Sequence, residues 1–435
     1  ISTTDLKGPV PLDGVPAPVI EAVAVPEKDR NDQHRKTIRD YFRAMDGEIS
    51  RLTAAVAEHQ KKSPKQGGSK AQVVAERSQA RVANIHVRGN FLDKGPQVTA
   101  DTLEVLPVIE SKAKLPNRLD FAQWLVAAQH PLTARVVVNR VWYRYFGRGL
   151  VASIDDFGTQ GEQPSHPELL DFLASELQQN RWSLKYLHRL IVTSQVYQQS
   201  SGARPALQKM DPENALLARQ SRRRVEAEIV RDLALSVSGL LDARVGGPSV
   251  RPRQPTEYSN LTYANSAKWA TSKGGDQYRR GMYTFFQRTS PYPMLMTFDA
   301  PDANACLAQR SASNTPMQAL TMWNDVVFFE CSQHLGQRIM KEVPATENLA
   351  ETRRQRIRHA FMICLARYPS EDELTTVLEF HETQRKACEA DSVIRDKIIG
   401  SLKPDKDKDG DRNELAGWIL VGRALINLDE FISRE

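Results

Sequence analysis

The amino-acid sequence predicts a mainly α fold: a multi-helix domain with a long N-terminal helix and small β or loop elements. Apolar residues recur at steps of three and four over most of the chain, which is the spacing of one face of a helix. Two of these stripes begin with Ser or Thr followed three residues later by Glu or Gln, the pattern of a capping box. Alternating apolar and polar residues are found around 83–91 and 281–286, so we expect at most small β elements there.

The first 116 residues divide into three segments. Residues 1–30 hold five prolines among small residues, which predicts an extended linker. Residues 63–116 predict a basic linker with a short β segment near 83–91. Residues 31–62 predict one long amphipathic helix, because a single stripe runs through Ile38, Tyr41, Phe42, Met45, Ile49, Leu52 and Val56.

Residues 117–435 predict a helical domain. Capping boxes indicate helix starts at Ser165 and Thr315, a serine cap with a hydrophobic staple indicates another at Ser183, and Asn324 with Asp325 can cap the next. A loop-rich insert is expected at 245–302, where Gly, Pro, Tyr and Thr are frequent. Further stripes predict helices over 225–241, 326–339, 357–364, 371–384 and 415–432.

Composition excludes several classes of protein. The 435 residues include 59 Lys and Arg against 53 Asp and Glu, a net charge of +6, but the two signs are interleaved. The most basic region, 61–81, contains no aromatic residue, which argues against nucleic-acid binding. No apolar run reaches the ~18–20 residues that a membrane span needs. The four cysteines are compatible with two disulfides or with none.

Several segments together resemble one known family. They are HPLTARVVVNRVW (130–142), FGRGLV (146–151), DFG (156–158), PSHPELL (164–170), RRVEAEIVRD (223–232), GGPS (246–249), SPYP (290–293), FDAPDAN (298–304), RS (310–311), SNTPMQAL (313–320), ND (324–325) and LDEF (428–431). This set resembles the C-terminal planctomycete-specific domain of unknown function, which follows a planctomycete cytochrome C domain in large secreted bacterial proteins. The resemblance covers roughly 117–435, and HVRGNFLD (86–93) resembles the segment before the domain.

The resemblance implies a periplasmic or extracellular location and, as a partner, a cytochrome c domain or another extracellular protein. It supplies no activity, because none is established for the family. The haem-attachment pattern Cys-x-x-Cys-His of the family's usual N-terminal half is absent from this sequence, so covalent haem within the chain is excluded.

The segment 288–314 is the strongest candidate for a site. Asp299 and Asp302 lie three residues apart near prolines, and two carboxylates in one loop can divide acid and base roles if their surroundings separate their pKa values. The same residues often form turns and salt bridges, and that alternative stays open. The flanking side chains that could bind a substrate are Arg288, Arg310, Asn304 and Asn314.

Two further groups are candidates. His166, at a predicted helix start, is the third candidate catalytic residue, with simple packing as the alternative. Arg135 and Asn139 lie on one helix face with Trp142 and Phe146, at i, i+4, i+7 and i+11. Such a face suits anion or sugar binding or, alternatively, a buried network that joins helices.

An acidic segment predicts a calcium site as the one cofactor for this chain. Residues 405–413 have the Asp-x-Asp-x-Asp-Gly opening of a calcium loop, which makes Asp405, Asp407 and Asp409 candidate ligands. Position twelve is Ala416 instead of Glu, so a solvated surface loop is the alternative.

Two functions from different classes follow. One is a secreted, non-catalytic interaction or docking module of a cytochrome-associated extracellular system, which the lack of any standard catalytic motif favours. The other is a secreted hydrolase or lyase acting on a polysaccharide-derived substrate through an Asp/Arg/His cleft. Carboxylates that converge in a cavity of roughly several hundred Å³ are expected for the enzyme, and ion-paired carboxylates outside a cavity for the module.

Overall fold

The computed structural model describes residues 14–62, 71–77, 81–112, 115–202, 204–255, 268–288, 290–402 and 409–434. The chain divides into two compact units, residues 1–81 and 82–435. The fold is mainly α, which confirms the predicted class. Among the described residues, no helix combines the length and the apolar character that a membrane crossing requires.

The first unit departs from its predicted organisation. A helix, α1 (Ala17–Ala24), lies within the segment predicted as an extended linker, because Val19 and Ala22 become buried there. Residues 1–13 of that segment lie outside the described residues.

The long helix predicted over 31–62 is two helices, α2 (Asp32–Met45) and α3 (Gly47–Lys62). Between them Asp46 has extended backbone, and its Oδ1 accepts hydrogen bonds from the N–H groups of Glu48 (2.9 Å) and Ile49 (3.0 Å). Asp46 therefore ends one helix and caps the next, a role that aspartate commonly has.

The second unit contains most of the helices and two small antiparallel strand pairs. Its elements in chain order are β1 (Ala83–His86), β2 (Lys94–Val98), α4 (Arg118–Leu125), α5 (Thr133–Phe146), α6 (Pro167–Gln179), α7 (Leu184–Val192), α8 (Pro205–Met210), β3 (Arg223–Arg224), α9 (Ala227–Val237), α10 (Pro293–Thr297), α11 (Pro316–Asn324), α12 (Val326–Glu342), α13 (Leu349–Leu365), α14 (Glu371–Ala390), α15 (Ser392–Ile399), α16 (Asp409–Ile426), α17 (Asp429–Ile432) and β4 (Ser433–Arg434).

One of the two predicted β segments is present. Strand β1 lies within 83–91 and pairs with β2, with Ala83 opposite Val98. The strand predicted over 281–286 is wrong: residues 281–283 form a 3₁₀ turn, and Thr284 makes only an isolated bridge. The backbone N–H of Gly281 donates to Asp232 Oδ1 at 2.6 Å, so a side chain takes the hydrogen bond that a strand partner would need.

The second strand pair joins distant parts of the sequence. Strand β3 pairs with β4, and the guanidinium groups of Arg223 and Arg434 both reach the C-terminal end of α5. Arg223 Nη1 donates to Tyr143 O at 2.7 Å, and Arg434 Nη2 donates to Tyr145 O at 2.6 Å. These cations lie at the negative dipole end of the helix and bond carbonyl oxygens of its last turn, one of which, that of Tyr143, also accepts from the N–H of Gly147 at 2.9 Å.

Three predicted helix starts are present. The Ser183 hydroxyl accepts from the N–H of Tyr186 at 3.3 Å, and the Asp325 carboxylate accepts from the N–H of Val327 at 2.8 Å. Thr315 immediately precedes α11. These starts were predictable because a cap is a contact between residues three positions apart or fewer.

Two larger hydrophobic cores form in the second unit. The first joins α5, α6 and α7 through Val138, Leu177 and Leu187. The second joins α9 to α14 with α16 and α17. At its centre α12 crosses α16 so closely that a Cβ on Gly336 would lie 2.7 Å from the backbone nitrogen of Ile419.

Candidate functional site

Asp299, the first predicted catalytic carboxylate, is bonded on both oxygens. Its Oδ2 lies 2.5 Å from Arg224 Nη2 and accepts from the N–H of Ser313 at 2.8 Å, while Oδ1 accepts from the Ser313 hydroxyl at 2.8 Å. Its backbone is left-handed, with φ of +64°, a conformation that Asp and Asn adopt more readily than most residues. Asp299 therefore ties the loop between α10 and α11 to strand β3.

The surroundings of Asp299 disfavour a catalytic role for its carboxylate. Burial alone would raise the pKa of this carboxyl, but the hydrogen bonds from Ser313 and the charge of Arg224 outweigh burial and lower it. A carboxyl with a lowered pKa is a weak base at neutral pH. The cavity beside it measures about 40 Å³, which is close to the volume of one water molecule.

Asp302, the second predicted carboxylate, forms an exposed turn. Its Oδ1 accepts from the N–H of Asn304 at 3.0 Å and its Oδ2 from Asn304 Nδ2 at 2.7 Å, and these bonds lower its pKa. Arg288 reaches the same turn, donating to Asn304 Oδ1 at 3.4 Å, and Asn314 is exposed. The geometry is that of an Asx turn at the surface.

Arg310 is engaged by carboxylates of α9 and its N-cap. Its guanidinium binds Glu228 with two hydrogen bonds, of 2.7 and 3.2 Å, and lies 3.3 Å from Glu226. Glu226 also pairs with Arg144 of α5. The result is a chain of ion pairs between α5, α9 and the loop before α11, with the cation of Arg310 already neutralised.

His166 does not join the carboxylates of the 288–314 segment. It occupies the N-cap position of α6 and contacts Ser165, whose Oγ lies 3.0 Å from its Nδ1. The predicted cap at Ser165 is wrong, because Pro167 starts the helix one residue later than expected and the Ser165 hydroxyl bonds Leu150 O at 3.3 Å instead. His166 is thus a surface residue at a helix start.

Arg135 and Asn139 bond within the protein. Arg135 of α5 pairs with Asp171 of α6 at 2.6 Å. Asn139 is fully buried, donates to Val151 O at 2.8 Å and accepts from the N–H of Val151 at 2.9 Å. Of the two roles considered for this helix face, these contacts are those of the network that joins segments.

The predicted calcium ligands are only partly within the described structure. Asp405 and Asp407 lie outside the described residues, and Asp409 is the first residue of α16. In the part of the chain that the structure describes, no group of three or more His, Cys, Asp or Glu side chains could hold a metal ion. Calcium binding by residues 405–409 stays a prediction.

Helix α11 buries Gln318 and Met322 and exposes its other apolar residues. Gln318 is 2% exposed, and its Nε2 donates to Thr297 O at 3.0 Å and to Ser313 Oγ at 3.1 Å. Met317 and Leu320 are 60% and 53% exposed. We define the α11 surface as the exposed apolar residues of this helix: Pro316, Met317, Ala319, Leu320 and Trp323.

A comparison with protein families assigns the chain to one of them. The family model that matches residues 117–381, more than half of the chain, is PSD1, described as a protein of unknown function (DUF1553). The chain belongs to this family. Neither the curated proteins nor the solved structures yield a match to it.

The PSD1 region contains two concavities that no sequence motif predicts. One, of about 660 Å³, lies between the end of α12 and α13 and contains His359, whose Nε2 is 2.6 Å from Glu342 Oε2. The other, of about 270 Å³, lies beside α5. His359 and Glu342 are 17 residues apart on different helices, so no local motif marks the pair.

The α11 surface of this PSD1 chain was also missed, although its signal was present. The segment PMQALTMWN has apolar residues on every side, whereas its capping box predicts only where the helix starts. A helix with apolar residues all round must leave some of them exposed unless it is surrounded.

Proposed function

We propose that the chain is a secreted, non-catalytic interaction module of a cytochrome-associated extracellular system. The α11 surface carries this proposal. Five exposed apolar residues cluster on a nine-residue helix whose glutamine faces the interior. Contiguous exposed apolar surface of this kind is typical of sites that bind another protein.

The state of the predicted catalytic residues supports the same conclusion. Asp299 is bonded to Arg224 and Ser313, Asp302 accepts hydrogen bonds from Asn304, and Arg310 forms an ion pair with Glu228. Each of these contacts fixes a loop, and the 40 Å³ cavity beside Asp299 has no room for a sugar ring. Ion-paired carboxylates outside a large cavity are what we expect of a module.

An arginine beside the α11 surface makes that surface better suited to bind another protein. Arg423 of α16 lies with its guanidinium carbon 4.4 Å from the ring centroid of Trp323 and donates to the carbonyl oxygen of that residue. Trp and Arg are enriched among the residues that contribute most to protein interfaces. The partner we propose is a planctomycete cytochrome c domain, as the family resemblance suggests.

The proposal is tested by binding of a purified planctomycete cytochrome c domain in biolayer interferometry. Leu320→Lys should weaken binding at least about tenfold, because it places a charge in the middle of the apolar contact. Leu349→Lys is the matched control, since Leu349 is 57% exposed on α13. No binding by the wild-type chain, or equal loss in both variants, would contradict the proposal.

A second candidate function rests on the concavity of about 660 Å³. His359 and Glu342 bring an imidazole and a carboxylate together there, and Arg338 Nε also bonds Glu342 at 2.8 Å. Burial opposes ionisation of Glu342, but Arg338 and His359 outweigh it and lower its pKa, so the carboxylate can orient the imidazole. A hydrolase or lyase would use this pair, and His359→Gln would then abolish release of reducing ends from polysaccharide.

A further inference from the structure

Helices α2 and α3 of the first unit leave their apolar side exposed. Phe42 and Met45 of α2 and Ile49, Leu52 and Val56 of α3 are each more than a third exposed. Steps of three and four residues separate them, so they lie on one side of each helix. We define the α2–α3 face as these five residues.

The described part of the first unit does not cover this face. Helix α1 packs against α2, where Ile38 and Tyr41 are half-buried. Phe42 and Met45 nevertheless stay 56% and 66% exposed, and neither α2 nor α3 contains a buried residue. Exposed apolar surface of this kind marks a site of contact with a protein or a membrane.

Three arginines form a row along one edge of the apolar side of α2. Arg35, Arg39 and Arg43 follow one another at steps of four residues, and Arg39 is a helix-surface neighbour of Phe42, three positions away. All three are exposed, and no ion pair between described residues involves them. The ion pairs of α3 connect other side chains, Arg51 with Glu48 and Lys62 with Glu58.

The surrounding sequence adds positive charge to this row. Residues 32–81 contain eleven Lys and Arg against six Asp and Glu, which accounts for +5 of the net charge of +6 of the whole chain. The basic segment 61–81 begins at the end of α3. Excess positive charge beside an apolar helix side is typical of helices that lie on a membrane surface.

We propose that α2 and α3 bind the surface of an anionic lipid bilayer and lie in its plane. The α2–α3 face enters the boundary between headgroups and acyl chains, and the row of Arg35, Arg39 and Arg43 contacts lipid phosphates at its edge. Burial of the apolar side chains and attraction of the cations favour the same orientation of the helices.

A second copy of the chain fits this face less well. A stable coiled coil needs an apolar seam of about three to four heptads. The break at Asp46 divides the seam into helices of 14 and 16 residues, about two heptads each. The unpaired arginines also favour a negatively charged partner over an identical, positively charged one.

This inference goes beyond the proposed function, because the α11 surface belongs to the second unit and shares no residue with α2 or α3. Binding of a cytochrome domain and binding of a bilayer can each fail without the other. The test is co-sedimentation of the full chain with sucrose-loaded vesicles. These consist of phosphatidylcholine alone or of equimolar phosphatidylcholine and phosphatidylglycerol, the latter at low and at high sodium chloride.

Two variants reduce the apolar contact separately on each helix. Phe42→Ser acts on α2 and Leu52→Ser on α3, and both positions are exposed, so each variant should fold. The matched control is Phe172→Ser, since Phe172 is 51% exposed on α6 of the second unit. Circular dichroism melting checks the fold of every variant.

A third variant removes the ionic contact. It combines Arg35→Gln, Arg39→Gln and Arg43→Gln. Its control is Arg189→Gln, because Arg189 is exposed on α7 and takes part in no ion pair between described residues. Fluorescence polarisation with a labelled single-stranded DNA measures binding to a polyanion without a bilayer, and light scattering measures the oligomeric state.

The expected result is binding to the mixed vesicles that weakens at least about tenfold in each apolar variant, in the arginine variant and at high salt, with both controls unchanged. Absence of wild-type binding overturns the proposal, as does equal binding to phosphatidylcholine alone, because the cations would then contribute nothing. If DNA binds and the apolar variants still bind vesicles normally, the surface recognises polyanions instead. A wild-type dimer that the apolar variants dissociate, without vesicle binding, identifies a second copy as the partner and also overturns it.

Discussion

At the scale of the residue, His381 is the most unusual side chain of the second core. It is fully buried on α14, its ring lies 4.3 Å from that of Trp418, and neither ring nitrogen has a hydrogen-bond partner among the residues that the structure describes. Burial lowers its pKa to about 4, and the attraction of Glu414, 3.6 Å away, opposes that shift only in part. The imidazole is therefore neutral in the folded protein at neutral pH.

This burial makes stability depend on pH. Between about pH 6.5 and pH 4 the unfolded chain holds a proton on His381 that the folded chain lacks, so the free energy of unfolding falls as pH drops through this window, by up to about 1.4 kcal/mol per unit. His381→Phe should flatten this dependence. Urea unfolding of the wild type and the variant at several pH values in this window measures the effect. Equal slopes for wild type and His381→Phe would contradict the argument.

Asp299 provides a second prediction at this scale. Asp299→Asn keeps a residue that tolerates left-handed backbone but leaves the Arg224 guanidinium, 11% exposed, without its carboxylate. We expect a loss of about 1–3 kcal/mol in the free energy of unfolding. Asp302→Asn, at the exposed turn, should cost less than about 0.5 kcal/mol. If Asp299→Asn proved neutral or stabilising in urea unfolding, the structural role of Asp299 would be wrong.

At the scale of the element, local patterns predicted what local contacts determine. Stripes and caps located α7, α11 and α12, because each cap binds within three residues of itself. The break between α2 and α3 at Asp46 was not predicted, because the apolar spacing over 31–62 continues across it. Strand β4 could not be predicted, because its two residues form a strand only by pairing with residues 223–224. The structural role of Asp299 could not be predicted either, because it depends on Arg224, which lies 75 residues away in the sequence.

Two serines at predicted or observed helix starts should differ in their effect on stability. Ser370 forms a complete capping box at the start of α14 with Glu373, so Ser370→Ala should lower the free energy of unfolding by about 1 kcal/mol. Ser165 does not cap α6, and Ser165→Ala should cost less than half as much. Thermal and urea unfolding of both variants check this. A Ser165 variant as unstable as the Ser370 variant would mean that α6 is capped by Ser165 after all.

At the scale of the whole molecule, arginine side chains join parts of the second unit that are distant in sequence. Arg367 bridges Glu373 and Glu430, whereas Arg353 bridges Glu382 and Glu414. These bridges connect helices α13, α14, α16 and α17, and no disulfide does so, because all four cysteines are free. Hydrophobic packing and ion pairs therefore hold these helices together.

The thiols offer a test of this description. Cys306 is exposed, Cys331 and Cys388 are buried, and burial raises the pKa of Cys364 to about 12. Ellman's reagent should therefore label one thiol rapidly in the folded protein and four in denaturant, because only accessible thiolates react. Fewer than four thiols in denaturant would reveal a disulfide and contradict the free cysteines.

The arginine caps on α5 have a consequence for the speed of folding. Two of the donors to carbonyl oxygens at the end of this helix come from far along the chain: Arg223 lies 80 residues beyond Tyr143, and Arg434 lies 289 residues beyond Tyr145. Closing so long a loop is slow compared with forming a helix, whose own contacts span four residues. A unit whose regular structure is mainly helical thus contains a step with the sequence separation usually associated with β proteins.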